Sequence, residues 1–262
     1  MTPIDALILG TVEGLTEFLP VSSTGHMILA AALLKLQNTD FLKSFEVAIQ
    51  LGAILSVVLL YFKRFLQGPA LYLRLFVAFL PTATIGFVLY KLIKGYLFNP
   101  LVVSLSLIVG GGVLILFDRW IESRPSLYSP EEMPLKQVAW VGLIQCLAMV
   151  PGVSRAGATI LGGLFHGLDK KQATEFSFLL AVPTMLAATG YDLLKSYQSF
   201  SGQDFGVLIL GGLVAFVSAL LAIKLFIESV VRFGFRWFGW YRIVAGIGFL
   251  AYAYTFSLPM GG

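Results

Sequence analysis

One cysteine in 262 residues, Cys146, leaves no partner for an intramolecular disulfide, so no covalent staple holds this fold. Charge is scarce too. Asp, Glu, Lys and Arg make up 12% of the chain, against about 25% in an average soluble domain. With 58% hydrophobic residues, that deficit excludes an ordinary water-soluble domain and indicates a polytopic membrane protein. There is also no basic stripe with interleaved aromatics. The net charge of +4 is spread over loops such as Lys63–Arg64, Lys170–Lys171 and Arg232–Arg242. That distribution suits anionic lipid headgroups and argues against nucleic acid as a partner. Gly110–Gly112 and Gly211–Gly212 lack the strand–turn–helix context of a nucleotide-binding loop and read as sites of close helix packing. The first residues, MTPIDALILG, carry no basic cluster before the apolar run, so no cleavable signal peptide is expected.

What is present is a series of long apolar runs. A helix needs about 20 apolar residues to cross a bilayer. Six runs qualify: Ser44–Phe62, Leu71–Leu92, Leu101–Phe117, Thr174–Leu194, Phe205–Ile227 and Trp237–Phe256. Two further regions are interrupted. Ile4–Leu36 is broken by Pro20 and the run Ser22-Ser23-Thr24-Gly25. Leu135–Leu168 is broken by Pro151-Gly152 and the run Ser154-Arg155-Ala156-Gly157. Their arms are too short to span, and both regions read as re-entrant helix–loop–helix hairpins.

The interrupted regions resemble each other. With Glu13 set against Gln145, Ser22 meets Ser154, Gly25 meets Gly157, and Ile28 meets Ile160 without gaps. After a three-residue gap, Glu46 meets Glu175. The chain therefore reads as a duplication within a single membrane domain, residues 1–262. Half one covers about 1–120, a polar linker about 118–136, and half two about 134–262. Arg124-Pro125 and Ser129-Pro130 supply turn signals in that linker. One hairpin and three spans per half imply halves that face opposite ways. Such inverted repeats place a polar site near the bilayer midplane. The expected fold class is thus all-α and polytopic, with about six transmembrane helices and two re-entrant hairpins in an inverted-topology repeat.

The polar residues cluster at the two breaks. Glu13 and Glu17, at i and i+4, project from one helical face. Two carboxylates in a low-dielectric setting persist when a hard cation such as Mg²⁺ or Ca²⁺ binds them, or when one keeps a proton. Ser22, Ser23 and Thr24 fall where a second half-helix begins. Hydroxyls there cap free N–H groups, and the same N–H groups with the helix dipole attract anions. Ser23 and His26, three apart, are placed to meet one ligand. In the second break Ser154 is a capping candidate, and Arg155 is a full charge at membrane depth that requires a bound anion or a carboxylate partner. Its fork suits two phosphate oxygens. Repeat one is acidic where repeat two is basic or neutral: Glu13 faces Gln145, Glu17 faces Met149, Ser23 faces Arg155, His26 faces Ala158. Glu46 and Glu175 read as sharing a structural role, with Gln50 beside Glu46. His166 reads as structural. Arg236, Trp237, Trp240, Tyr241 and Arg242 read as an interfacial anchor.

The stretches EGLTEFLPVSSTGH (Glu13–His26) and PGVSRAGAT (Pro151–Thr159) resemble the two signature motifs of the bacterial undecaprenyl-diphosphatase, or bacitracin-resistance, family. EFSFLLAVP, FEVAIQLG and the surroundings of Tyr241–Arg242 extend the resemblance over essentially the whole chain. The resemblance implies a multi-pass enzyme of the bacterial plasma membrane, with its site open to the outer side. It implies hydrolysis of undecaprenyl diphosphate to undecaprenyl phosphate and inorganic phosphate, with dependence on a divalent cation. The matching residues are Glu13, Glu17, Ser23 and His26 in the first motif and Ser154, Arg155 and Thr159 in the second. Ala156 departs from the serine that the family often has there.

Combined, these readings make Glu17, Ser23, His26 and Arg155 catalytic. Ser22, Thr24, Gly25, Ser154, Arg155 and Thr159 contact substrate, and Glu13 and Glu17 hold the cation. Ser23, His26 and a metal-bound water are three candidate attacking groups, with Ser23 favoured and His26 as acid/base. Partners are a polyprenyl diphosphate and membrane lipids, with a homodimer left open. The competing class is a transporter of lipid phosphates, since inverted repeats with broken helices are also a carrier plan. A third is a scaffold whose polar loops are merely packed.

Overall fold

The computed structural model describes residues 1–37, 39–96, 100–121, 126–196 and 202–255. The Arg124-Pro125 turn signal and the end of the sixth expected span at Phe256 lie outside them. Among the described residues the chain is helical, without strands. The helices are α1 (Pro3–Thr16), α2 (Ser23–Leu33), α3 (Asp40–Leu60), a short α4 (Phe62–Phe65), α5 (Pro69–Tyr96) and α6 (Pro100–Ile121). They continue as α7 (Leu135–Gln145) with a 3₁₀ turn at Cys146–Met149, α8 (Arg155–Phe165), α9 (Lys170–Ser196), α10 (Gly202–Phe233) and α11 (Arg236–Thr255).

Among the described residues five helices are long and apolar enough to cross a membrane: Asp40–Leu60, Pro69–Leu89, Leu101–Ile121, Lys170–Leu194 and Asp204–Phe233. The sixth expected span does form a helix, α11. Arg236, Trp237, Trp240, Tyr241 and Arg242 in its first half lower its apolarity below that of the other five. The two interrupted regions form short helices that meet at a tip, α1 with α2 and α7 with α8. At about 1.5 Å per residue, none of these four arms reaches across a hydrocarbon core of about 30 Å.

Local chemistry explains the breaks. Thr2 and Asp5 form a capping box that starts α1, with Pro3 in the first turn. Pro20 disfavours helical backbone at the residue before it, which ends that arm. Pro151-Gly152 does the same after α7, and Gly152 has a positive φ of 94°. The next helices then begin on capping serines.

Each hairpin packs against a helix distant in sequence. α1 packs on α10, α7 packs on α5, and α6 and α11 pack together, as do α3 and α9. Glycine allows the closest approaches. A Cβ on Gly10 would lie 2.6 Å from the carbonyl oxygen of Gly211 in α10, and one on Gly142 would collide with the carbonyl of Ala78 in α5. Gly10 and Gly142 are 132 positions apart, the same offset that superposes the hairpin motifs. The main core includes Phe18, Phe176, Phe178 and Phe226, together with Ala156 and Ile160 of the second hairpin. Asp118, buried near the end of α6, accepts hydrogen bonds from the N–H groups of Phe235 (2.9 Å) and Arg236 (3.3 Å), and pairs with Lys170 at 3.3 Å. It therefore fixes where α11 starts.

Candidate active site

Ser22 and Ser154, the residues before α2 and α8, have nearly the same unusual backbone: φ 70°, ψ 91° and φ 76°, ψ 117°. A positive φ in a residue with a Cβ is strained, and such strain concentrates at functional loops. Each serine oxygen accepts from the N–H three residues on, Gly25 at 3.5 Å and Gly157 at 3.1 Å. The Ser154 hydroxyl also donates to Leu19 O of the first tip at 3.4 Å. Both tips thereby direct the first turn of a helix, with its unpartnered N–H groups, into one region.

Glu17 joins the two tips. Its Oε2 accepts from Ser23 Oγ at 2.5 Å, and its Oε1 accepts from Arg155 Nη2 at 2.9 Å. The pair is largely withdrawn from solvent, with Arg155 13% and Glu17 7% exposed. Arg155 is held further by Ser177 O at 3.0 Å and lies over the Phe18 ring. Its Nε is buried and makes no hydrogen bond among the described residues. A guanidinium N–H left without a partner in an apolar surround is a donor waiting for an acceptor.

Glu13 is almost fully buried beside Glu17, with Glu46 also nearby. Two carboxylates this close share a proton or a cation. The Glu13 Oε1 has no hydrogen-bond partner among the described residues. An orphan carboxylate oxygen beside a second carboxylate fits a hard divalent cation. Among the described residues no three Asp, Glu, His or Cys side chains form a cage. Such an ion would thus take further oxygens from substrate and water, the usual habit of Mg²⁺.

The remaining expected residues divide. Thr159 is fully buried, 2.6 Å from Ser177 Oγ and bonded to Arg155 O at 2.9 Å, so it braces the arginine instead of facing a ligand. Gly25 is buried and Thr24 half-buried at the start of α2. His26 does not bond Ser23. Its Nδ1 is 2.8 Å from Ser22 O and its Nε2 2.7 Å from the Tyr241 hydroxyl. The group positioned to take a proton from Ser23 is Glu17. Gln145, the counterpart of Glu13, is buried and donates to Thr82 at 2.7 Å. Glu46 and Glu175 have different surroundings and do not share a role. Glu46 lies near Glu13, whereas Glu175 lies 3.9 Å from Arg64, which pairs with Glu131 at 2.9 Å. His166 bonds Gly162 O at 2.9 Å, as a structural residue would.

Arg242 corrects the sequence reading. It is no interfacial anchor but 1% exposed, the largest fully buried side chain among the described residues. Its guanidinium donates to Pro20 O (2.9 Å) of the first tip and to Gly152 O (2.7 Å) and Val153 O (2.9 Å) of the second. It also donates to Ser106 O (3.1 Å) and Leu107 O (3.4 Å) of α6. One side chain thus ties both breaks to α6. The available signal was Gly110: a Cβ there would collide with the Arg242 guanidinium.

The model of the bacitracin resistance protein BacA family matches residues 6–248. The chain is 50% identical to the undecaprenyl-diphosphatase of Aquifex aeolicus strain VF5 over 253 residues, 96% of this chain and 99% of that one. It is 51% identical to the undecaprenyl-diphosphatase of Bdellovibrio bacteriovorus over 256 residues, 97% of each chain. The undecaprenyl-diphosphatase of Persephonella marina is 53% identical over 250 residues, 95% of this chain and 98% of that one. A buried acid–serine–arginine cluster shared between two loop tips thus coincides with a match along nearly the whole sequence, and the chain belongs to the BacA family.

Proposed function

We propose that this membrane protein is an undecaprenyl-diphosphatase, releasing inorganic phosphate and leaving undecaprenyl phosphate for reuse as a carrier in cell-wall synthesis. The observation that carries this reading is Glu17, which bonds the Ser23 hydroxyl and the Arg155 guanidinium at once. Arg155 and the first-turn N–H groups of α2 and α8 bind the diphosphate, and the unpartnered Arg155 Nε–H takes one of its oxygens. Ser23 Oγ attacks the terminal phosphorus as Glu17 removes its proton. The phosphoanhydride bond breaks toward the lipid side, and its electron pair leaves on undecaprenyl phosphate. Glu17 passes that proton to the departing undecaprenyl phosphate, then takes a proton from the water that attacks the phosphoserine and returns it to the Ser23 oxygen as inorganic phosphate leaves. Glu13 and Glu17 would hold a Mg²⁺ or Ca²⁺, which supplies positive charge to the phosphate oxygens when bound. Fixed positive charge at the transferring group is commonly the largest catalytic contribution.

The proposal includes the architecture. Residues 1–120 and 134–262 are inverted copies, supported by the 132-residue offset between matching tip serines and between matching packing glycines. It places the protein in the bacterial plasma membrane with the tips open to its outer side and the C55 tail in lipid. The test is phosphate release from undecaprenyl diphosphate by purified protein in liposomes. Wild type releases phosphate, chelator suppresses release, and Ser23→Ala lowers it at least about 100-fold. Full activity of Ser23→Ala moves the attack to His26 or water. Transfer of intact diphosphate across the bilayer without phosphate release replaces the phosphatase with a carrier.

A further inference from the structure

We infer that Tyr241 is the positioning residue of His26, holding the imidazole in one tautomer through its hydroxyl. The inference rests on the phosphatase reading for its kinetic consequence but not for its geometry. The His26 Nδ1 lies 2.8 Å from Ser22 O, and a carbonyl can only accept, so Nδ1 carries the hydrogen. In the neutral ring Nε2 then holds the lone pair, and the Tyr241 hydroxyl 2.7 Å away donates to it. The two rings are nearly parallel, at 9°, with centroids 5.5 Å apart. One hydrogen bond on each nitrogen and an aromatic face leave the imidazole a single orientation.

Tyr241 also sits in the right place to be read by the site. It precedes Arg242, whose guanidinium holds both tips, so α11 delivers the latch and the histidine's partner from adjacent positions. Its own side chain is half exposed. A tyrosine hydroxyl rotates between donor and acceptor. When His26 gains a proton on Nε2, the same oxygen accepts from it without movement of heavy atoms. Phenylalanine keeps the ring contact and loses both roles.

The other half has no such pair. The hairpin offset puts Ala158 opposite His26. The offset of Glu46 and Glu175, 175 − 46 = 129, puts Gly112 opposite Tyr241. That seam, between α6 and α8, is instead an apolar groove of about 510 Å³ lined by residues including Gly110, Ala158 and Leu161. Among the described residues the pair stands beside the tip that carries Ser23 and Glu17 and not beside the other.

The experiment combines ¹⁵N-histidine NMR with phosphate release from undecaprenyl diphosphate. The chain has two histidines, so the spectrum assigns by one substitution, H166N. Wild-type His26 shows a protonated Nδ1 and an unprotonated Nε2, and Y241F moves it to a mixture of tautomers. In turnover, Y241F lowers kcat about 10-fold with KM changed less than about twofold, and adds no further loss to H26A. An unchanged His26 spectrum in Y241F overturns the inference whatever the activity. So does wild-type kcat in Y241F, or full multiplication of the two losses. A wild type that releases no phosphate contradicts the phosphatase reading alone, because the NMR arm still reports the Tyr241–His26 bond.

Discussion

At the first tip the capping serine is followed by Ser23, whose hydroxyl meets Glu17. At the second it is followed by Arg155, whose guanidinium reaches the same Glu17. The backbones at Ser22 and Ser154 are nearly identical, and both tips hang from Arg242 through equivalent carbonyls, Pro20 O and Gly152 O. The scaffold is shared and the chemistry is divided. An acid and a hydroxyl on one loop meet a cation on the other, so neither tip is complete alone. The stems differ in the same sense. Glu13 presents a buried carboxylate oxygen with no partner among the described residues, where its counterpart Gln145 is a neutral amide bonded to Thr82.

The sharpest way to break that comparison is to change the cation while keeping its charge. R155K should lower kcat/KM for phosphate release about 100- to 1000-fold. A lysine ammonium does not span Glu17, Ser177 O and a phosphate at once. Retention of more than about a tenth of the wild-type rate would mean that only charge matters at the second tip. Next in size is the shared latch. R242L leaves up to five carbonyl acceptors without their donor. At about 1–3 kcal/mol for a buried unsatisfied group, it should cost at least about 3 kcal/mol, read as a lower thermal midpoint in detergent. A wild-type midpoint would show that the tips do not depend on α11.

A smaller effect is expected from making the second stem resemble the first. Q145E buries a carboxylate beside Thr82 and should destabilise by about 1–3 kcal/mol while creating no second cation requirement. A new dependence of activity on divalent-cation concentration in Q145E would mean that the stems are interchangeable. The smallest effect comes from the shared backbone itself. S22G and S154G relieve a positive φ and lose a capping oxygen, and glycine costs only a few tenths of a kcal/mol as a cap. Each should change stability by less than about 1 kcal/mol, and by similar amounts. Opposite signs would show that the two tips carry different strain.

Much of this was legible in the sequence. Pro20 and Pro151-Gly152 mark breaks in apolar runs, and the serines after them mark helix starts. A charge as costly as Arg155 in such a run demands a carboxylate or an anion, and Glu17 is the carboxylate it found. Arg242 was not legible. Among Trp237, Trp240 and Tyr241 it has the composition of an interfacial belt. Its burial comes from α6, which approaches closely because Gly110 has no side chain. The distinction between Glu46 and Glu175 was hidden for a similar reason. They align in sequence when the two interrupted regions are superposed, but Arg64 and Glu131 lie beside Glu175. The bond between His26 and Tyr241 spans 215 positions, beyond any local pattern. Local chemistry set the elements and their breaks, and long-range packing decided which polar groups meet.

The central claim is that Glu17 and Arg155 act as one unit on one diphosphate. A double-mutant cycle of E17Q and R155A, read as kcat/KM for phosphate release from undecaprenyl diphosphate, tests it most directly. Each single variant should lose about 1000-fold, and the double variant should lose no more than about tenfold beyond the worse single one. Losses that multiply in full would show two groups working independently, and the shared site between the tips would be contradicted.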